Sequence, residues 1–252
     1  MTLAVPARAK LNLDLEVLSR DTDGFHQIRS RMQSIALHDL LELEPAGEST
    51  TLQTTGLAIT QDKDNSVLKA HAAIERATGR RLPTRFHLHK RIPPGAGLGG
   101  ASSDAAAALR GLKTIHNLNI DLEEIAASVG ADVPFFLNGG TIRAEGRGER
   151  LTRLPPETGW FAIAWPGIEL LTSAVYRAWD EVKGDGLNQL TRAATTAAPQ
   201  LQDFAKRLGD GWQMTGSGSA FFRRAPDQAA ATKVAANRNC WTSVTHAVGA
   251  WN

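Results

Sequence analysis

The sequence predicts an α+β protein, in which helices and strands follow one another without a regular order. Residues 10–18, KLNLDLEVL, alternate strictly between apolar and polar side chains, as a half-buried strand does. Residues 102–112, SSDAAAALRGL, are rich in alanine and begin with serines, a pattern typical of a capped helix. Such patterns succeed each other without βαβα alternation, which favours α+β over a doubly wound parallel sheet.

The composition limits the classes of function. The 252 residues include 28 Lys and Arg against 26 Asp and Glu, a formal charge of +2, without the basic run that binding to nucleic acid requires. The single cysteine, Cys240, fits a reducing compartment, and no apolar stretch approaches the length of a membrane span. We therefore expect a soluble, cytoplasmic protein that binds a small molecule, with neither nucleic acid nor membrane as its partner. The composition leaves the oligomeric state open.

The first third of the chain predicts strands around one helix. In the strand at 10–18, Lys10 and Asn12 share the polar face, and the segment DTDGF at 21–25 predicts a turn. The next predicted elements are a strand at 35–44, a polar hairpin region at 44–56, a helix at 65–79 that Gly79 ends, and a strand at 84–92.

The rest of the chain predicts helices first and then a mixed segment. The serines at 102–103 are expected to cap the helix at 102–112. In the next helix, Asp121 and Glu124 have the spacing of a capping box. The further predicted elements are a short apolar segment at 131–140, a strand at 159–167, helices at 172–182 and 227–239, a strand-turn-strand at 212–222 and a strand at 240–248. Composition shifts most around 148–159, so we predict one domain at 1–150 and a second at 151–252.

Residues 95–104, GAGLGGASSD, form a glycine-rich loop suited to an anion. Gly95, Gly97 and Gly100 match the dinucleotide pattern G-x-G-x-x-G. However, two prolines precede the loop, and the acids about 20 residues further on fall at a helix start rather than a strand end. A Walker loop is excluded because Ala101 stands where that loop needs lysine.

Two interpretations of the loop remain. In the first, backbone N–H groups and the N-terminus of the following helix hold phosphate oxygens, and the hydroxyls of Ser102 and Ser103 bind phosphate or a metal ion. In the second, the loop only caps that helix. A cap needs one serine and one glycine, so the glycine density favours the phosphate site.

Two charged residues elsewhere are candidates for the chemistry. Asp132 precedes Val133-Pro134 at a helix start, where it is a helix cap, a carboxylate that accepts or orients a hydroxyl proton, or both. Lys10 is either a solvated lysine or, if it meets Asp132, the cation that keeps this carboxylate ionised and neutralises a transferring phosphoryl group.

Several segments together resemble the GHMP kinase superfamily: RIPPGAGLGGASSDAAAAL at 91–109, GADVPFFLNGG at 130–140 and MTGSGSAFF at 214–222. Two further segments, ARAKLNLDLEV at 7–17 and DGFH at 23–26, resemble more specifically those GHMP kinases that act on cytidine diphosphate-linked methylerythritol. The resemblance implies an N-terminal α+β domain joined to a ferredoxin-like C-terminal domain. It also implies ATP-dependent phosphorylation of that substrate's 2-hydroxyl, with Mg²⁺. Another GHMP-type kinase, such as a homoserine kinase, is the alternative.

The same resemblance assigns roles to individual residues. Lys10 and Asp132 are the catalytic pair, Phe25 and His26 stack on and hydrogen-bond the cytosine, and Tyr176 is a second stacking aromatic. The ATP-phosphate loop comprises Pro93, Pro94, Gly95, Ala96, Gly97, Leu98, Gly99, Gly100, Ala101, Ser102 and Ser103. Further substrate contacts are implied for Asn12, Thr172, Gly216, Ser217 and Gly218. No metal ligand is assigned. Three positions depart from the family, which more often has glycine at 101 and tyrosine at 25, and which tends to have N-D-L where this chain has NQL at 188–190.

Overall fold

The computed structural model describes residues 2–59 and 64–251, and its architecture is α+β, as predicted. The strands are β1 (Leu3–Asn12), β2 (Glu16–Arg20), β3 (His26–Pro45), β4 (Thr51–Gly56), β5 (Thr84–Lys90), β6 (Thr141–Gly146), β7 (Arg150–Arg153), β8 (Trp160–Trp165), β9 (Gln213–Met214), β10 (Phe221–Ala225) and β11 (Trp241–His246). The helices are α1 (Ser66–Thr78), α2 (Gly100–Ile115), α3 (Glu123–Val129), α4 (Val133–Asn138), α5 (Thr172–Val182), α6 (Thr191–Ala197), α7 (Gln200–Leu208) and α8 (Gln228–Ala235).

The first seven strands form one sheet around the 20-residue strand β3. The strand order is β4-β5-β3-β6-β7, and β3 also pairs with β1 and β2. Helices α1 to α4 pack on this sheet, because each sheet or helix has an apolar face that it must bury. The shared core includes Leu41, Phe86, Leu109 and Phe135, all at most 2% exposed.

The last four strands form a second sheet with the order β11-β8-β10-β9, antiparallel throughout. Two helical segments separate its strands in chain order, which gives the βαββαβ arrangement of a ferredoxin-like domain. The two sheets share a core that includes Leu11 and Leu98 from the first part of the chain and Phe161 and Phe222 from the second. The chain passes from the first sheet to the second between β7 and β8. This supports a division into domains at 1–150 and 151–252, and we keep that division as a proposal.

The strand predicted at 10–18 is interrupted. β1 ends at Asn12, which still pairs with Met32 of β3, and the backbone N–H of Asn12 donates to Thr215 Oγ1 at 2.8 Å. β2 resumes the alternation at Glu16. The polar face of this segment is also not solvated: Lys10 and Asn12 are 5% and 3% exposed. The turn that contains Thr215 packs on this polar face. The alternation in the sequence therefore predicted which residues share the polar face, but not that this turn buries them.

The hairpin predicted for residues 44–56 is wrong. β3 ends at Pro45 and β4 does not return beside it. Instead, β5 lies between them, antiparallel to β3 and parallel to β4 from Thr51↔Arg85 to Gly56↔Lys90. Turn residues at 46–50 mark a change of direction, but they do not specify which strand is the partner.

The serine cap predicted for α2 is wrong, and α3 is capped differently from the predicted capping box. α2 begins after Gly99, whose φ of +73° marks a left-handed residue, and no side chain caps this helix. The Ser103 hydroxyl donates instead to the Arg8 carbonyl oxygen at 2.7 Å. At α3, Asp121 Oδ1 accepts the Glu123 N–H at 3.0 Å, and no capping box with Glu124 forms. The sequence analysis missed β6, β7, α6 and α7. None of the described helices is long and apolar enough to cross a bilayer.

Candidate active site

A cleft of about 1010 Å³ is lined by strands of the first sheet, by helices and by loops from both parts of the chain. It brings together most of the residues that the motifs selected. Those that line it are Lys10, Asn12, Pro93, Pro94, Gly95, Ala96, Gly97, Leu98, Gly99, Gly100, Ala101, Ser102, Asp132, Thr172, Tyr176, Gly216, Ser217 and Gly218. Phe25, His26 and Ser103 are not among its lining residues. The hydroxyl bond from Ser103 to Arg8 ties α2 to β1, so Ser103 has a structural partner of its own.

The glycine-rich loop follows β5 and runs into α2 along the cleft. Gly95, Gly97 and Gly99 have φ values of +58°, +75° and +73°, which favour glycine. The intervening Ala96 and Leu98 are 1% exposed and pack in the core between the sheets. The loop therefore alternates between buried anchors and left-handed turns, which fixes its path beside the cleft.

The space for a side chain at Gly99 is limited by buried residues and not by the open cleft. A Cβ at this position would lie 2.5 Å from Phe136 Cζ and 3.1 Å from Lys10 Cγ. At Gly97, a Cβ would lie 2.3 Å from the Thr215 carbonyl oxygen. Substitutions at these two glycines would therefore displace Lys10 or the neighbouring turn. They are poor tests of phosphate binding.

Ala101 offers a cleaner test of the loop. It is exposed, lines the cleft and lies in the first turn of α2. Ala101→Glu is expected to stabilise α2 slightly, because a negative charge near a helix N-terminus is favourable. The same charge repels phosphate, so the Kd for ATP should rise at least about tenfold, or about 1.4 kcal/mol. Titration calorimetry with a non-hydrolysable ATP analogue measures this change.

Ala101→Gln is the matched control for Ala101→Glu, because it adds the same bulk without the charge. We expect it to weaken binding of the analogue less. If both variants bind the analogue as tightly as the parent, the N-terminus of α2 does not face the phosphates.

Lys10 and Asp132 meet in the cleft. Lys10 Nζ lies 3.7 Å from Asp132 Oδ2 and donates a hydrogen bond to Asn12 Oδ1. Asn12 Nδ2 in turn donates to Ser30 Oγ at 2.7 Å. Burial lowers the pKa of Lys10 below its ordinary value, although the Asp132 carboxylate opposes this shift. The ammonium group is therefore held in place by a short polar chain that starts in the first sheet.

Asp132 occupies the N-cap position of α4, and Pro134 follows within the first turn. Its side chain makes no capping hydrogen bond, however, and is about a third exposed. The carboxylate faces the cleft instead, with Lys10 on one side. The interpretation that Asp132 is only a cap is therefore not supported by its hydrogen bonding.

A buried ionic cluster lies beneath the loop, and the sequence analysis did not select it. Lys90 Nζ donates to Asp39 Oδ2 and, at 2.7 Å, to Asp104 Oδ2. Burial alone would lower the pKa of Lys90, but the two carboxylates hold it above its ordinary value. Burial raises the pKa of Asp104 to about 8, although Lys90 opposes the shift. One signal was available: Lys90 shares the buried face of β5 with Phe86 and Leu88.

Asn188 is another site residue that sequence reasoning missed. It is 3% exposed, and its Nδ2 donates to the carbonyl oxygens of Met214 and Gly216 at 2.9 Å each. The turn that contains Gly216 lines the cleft, and its Ser217 hydroxyl lies 3.1 Å from that of Thr172 at the start of α5. Asn188 thus holds the second glycine turn in position.

The DGFH segment lies beside α5. The His26 ring stacks on Tyr176, with ring centroids 5.2 Å apart and an interplanar angle of 18°. His26 Nε2 lies 2.8 Å from Asp180 Oδ1. Burial on its own would raise the pKa of Asp180, but hydrogen bonds from Arg20 and His26 lower it below its ordinary value. An ionised carboxylate only accepts hydrogen bonds, so Nε2 of His26 carries the hydrogen.

Phe25 lies apart from Tyr176 in this arrangement. Its side chain is 58% exposed, and the Arg147 guanidinium lies over the ring, 4.4 Å from its centroid. Arg147 also donates to Asp21 Oδ2 at 2.7 Å and to Asp23, which holds the turn. The structure stacks His26, rather than Phe25, on Tyr176. The role of Phe25 at the cytosine stays a prediction.

Comparison with known proteins identifies the family. A family model described as the GHMP kinases N terminal domain matches residues 65–140. The 4-diphosphocytidyl-2-C-methyl-D-erythritol kinase of Moorella thermoacetica is 42% identical over 187 residues, which cover 72% of this chain and 65% of that protein. The match thus spans just under two thirds of this relative. The kinase of the same name from Pelotomaculum thermopropionicum is 37% identical, and the match covers 94% of this chain and 93% of that protein.

Solved structures share the fold over nearly the whole chain. A crystal structure of 4-(cytidine 5'-diphospho)-2C-methyl-D-erythritol kinase matches with a TM-score of 0.84 and 32% identity, covering 98% of this chain and 100% of that chain. A homoserine kinase from Cytophaga hutchinsonii matches with a TM-score of 0.68 at 18% identity over 99% and 95% of the two chains, which shows the shared fold alone. The GHMP kinase fold implied by the motifs is thus confirmed, and the chain belongs to the 4-diphosphocytidyl-2-C-methyl-D-erythritol kinase family of GHMP kinases.

Proposed function

We propose that this chain transfers the γ-phosphoryl group of ATP to the 2-hydroxyl of 4-diphosphocytidyl-2-C-methyl-D-erythritol. The observation that carries the proposal is the pairing of Lys10 with Asp132 in a cleft lined by the glycine-rich loop. GHMP kinases use ATP, and the names of the relatives give the second substrate.

The cleft lining includes two groups of residues that suit the two substrates. One group is the phosphate loop with the start of α1, including Asn65 and Lys69, and the other is Thr172, Tyr176 and Arg147. We place ATP beside the first group, where backbone N–H groups of the loop and the N-terminus of α2 meet its phosphates. The cytidine substrate then lies beside Tyr176.

Asp132 acts on the attacking hydroxyl. Its carboxylate accepts the hydroxyl proton while the oxygen bonds to the γ-phosphorus, and the bond from that phosphorus to the bridging oxygen of ADP breaks. Lys10 positions the Asp132 carboxylate and stabilises the charge on the transferring group. Much of the rate comes from holding the two substrates in line, because phosphoryl transfer requires little covalent chemistry from the protein.

The start of α2 has oxygen donors that fit Mg²⁺. Ser102 and Asp104 line the cleft, and Asp104 Oδ1 is buried without a hydrogen-bond partner among the described residues. Mg²⁺ prefers one or two protein oxygens together with phosphate oxygens and water. We infer that Ser102 and Asp104 would hold the ion. When bound, Mg²⁺ neutralises charge on the β- and γ-phosphates.

His26 is suited to selecting cytosine by hydrogen bonding. In the neutral form of the imidazole, Nε2 donates to Asp180 and Nδ1 is left as an acceptor. Cytosine offers an exocyclic amino group as a donor, whereas uracil has a carbonyl oxygen there. A base read by His26 Nδ1 would therefore be cytosine.

The base contacts predict two separable kinetic effects. Phe25→Ala is expected to raise KM for cytidine- and uridine-linked substrates alike, because stacking tolerates any base. His26→Ala is expected to reduce the preference for cytidine by about 1–2 kcal/mol, the usual cost of one lost hydrogen bond. Comparing kcat/KM for the two substrates measures this preference. Equal kcat/KM for both in the parent protein would mean that no base-reading site exists.

The substrate assignment is tested by ADP release in the presence of candidate alcohols. We expect 4-diphosphocytidyl-2-C-methyl-D-erythritol to accelerate ADP release and homoserine not to do so. Detecting the 2-phosphate of the product by mass spectrometry confirms the position of transfer. Acceleration by homoserine alone would overturn the proposal in favour of the alternative GHMP kinase.

A further inference from the structure

A cluster of two histidines and one glutamate lies on the first sheet, away from the cleft. His87 and His89 are two residues apart on β5, so their side chains lie on the same face. Glu42 of β3 is directly opposite His87 in the antiparallel register. None of the three lines the cleft. The sheet pairing therefore collects three potential metal ligands that phosphoryl transfer does not use.

The distances between their ligand atoms suit one small cation. Glu42 Oε2 lies 3.0 Å from His89 Nε2 and 3.5 Å from His87 Nδ1, and all three atoms lie within 4.8 Å of one another. A tetrahedral Zn²⁺ with ligand bonds of about 2.0–2.1 Å holds neighbouring ligand atoms about 3.3 Å apart. The two glutamate distances lie on either side of that value.

The remaining nitrogen of each imidazole already has a partner. Thr55 of β4 places its Oγ1 2.9 Å from His89 Nδ1 and 3.3 Å from His87 Nε2. A hydroxyl oxygen can accept two hydrogen bonds, so Thr55 can fix both tautomers with the unprotonated nitrogens toward Glu42. Metal-binding histidines in proteins are typically oriented by such a second hydrogen bond.

Exposure fits the same arrangement. The side chains of His87 and His89 are each 32% exposed, which leaves the ion an entry path and room for a water molecule.

We propose that Glu42, His87 and His89 bind one Zn²⁺ ion, with water as the fourth ligand. Two imidazoles and a carboxylate form the donor set that Zn²⁺ accepts, and Mg²⁺ prefers oxygen ligands alone. The ion would link β3 to β5 directly and β4 through Thr55. Its role is to stabilise the edge of the first sheet, and it takes no part in the phosphoryl transfer proposed above.

The test uses the full chain without a histidine tag. Titration calorimetry with ZnCl₂ is expected to show one ion per chain, and Zn²⁺ is expected to raise the Tm in a way that EDTA reverses. Replacing Zn²⁺ with Co²⁺ should give the intense visible absorption of a four- or five-coordinate ion. His246→Gln, which removes a histidine from the second sheet, is the matched control and should leave all three signals unchanged.

Two variants decide whether the proposed residues are the ligands. The double variant His87→Gln/His89→Gln is expected to lose Zn²⁺ binding and the Tm increase while keeping the far-ultraviolet circular dichroism of the parent. Thr55→Val keeps every ligand and is expected to weaken Zn²⁺ binding by about 10- to 100-fold. Absence of saturable binding in the parent, or equal binding by the double variant, would overturn the proposal.

Discussion

Asp132→Asn is expected to lower kcat by about 10²- to 10⁴-fold, the usual contribution of a group that accepts a proton in the transition state. The amide has nearly the same shape as the carboxylate, but it cannot take the hydroxyl proton. The structure makes this substitution specific, because the Asp132 side chain makes no capping hydrogen bond that the change could break. Steady-state ADP release with saturating substrates measures the effect.

Thermal unfolding is the control for Asp132→Asn. We expect the Tm to change little, because asparagine is also accepted at a helix N-cap and α4 keeps Pro134 in its first turn. Asp132→Ala separates the roles further, since it removes both the charge and any capping ability. If Asp132→Asn retains kcat within about tenfold of the parent, the carboxylate does not accept the proton, and the mechanism is wrong.

Lys10→Met is expected to lower kcat by about 10²- to 10³-fold, comparable to the loss of one donor that stabilises transition-state charge. Methionine nearly matches the volume of the buried lysine stem, so packing against Gly99 and Phe136 is retained. The charge beside Asp132 is lost, and Asn12 Oδ1 loses its donor. Because that charge matters most in the transition state, kcat should fall more than the affinity for an ATP analogue.

The matched control for Lys10→Met is Lys206→Met. Lys206 lies on α7, is exposed and forms an ion pair with Asp203, 3.8 Å away. Exposed ion pairs contribute little to stability, so this variant should keep the kcat and Tm of the parent. A Lys10→Met variant with the kcat of this control would exclude Lys10 from the chemistry.

Elements with strong local patterns could be predicted from the sequence alone. The helix predicted at 65–79 is α1, which ends at Gly79 with a φ of +63°. β5 and β8 lie where short alternating or apolar runs placed them. In each case the signal is contained within one element, because periodicity and turn glycines act over a few residues.

Pairings between distant segments could not be predicted in this way. β4 pairs in parallel with β5, which begins almost thirty residues after β4 ends. The turn residues at 46–50 give no information about this partner strand. The Ser103 hydroxyl had been expected to cap α2, but it bonds to the Arg8 carbonyl oxygen because β1 packs beside that helix. Local capping competes with tertiary partners, and at this site the tertiary partner is preferred.

The sequence by itself determined the α+β class, the glycine-rich loop and the proposal that Lys10 and Asp132 act together, because these signals are contained in short segments. Only the tertiary structure decided that the polar face with Lys10 is covered, and that Asp132 turns toward that lysine instead of capping α4. The same holds for His26, which meets Tyr176 across a long chain separation. Alternation shows which side chains share a face, but the covering of that face depends on contacts between segments far apart in sequence, which no local pattern encodes.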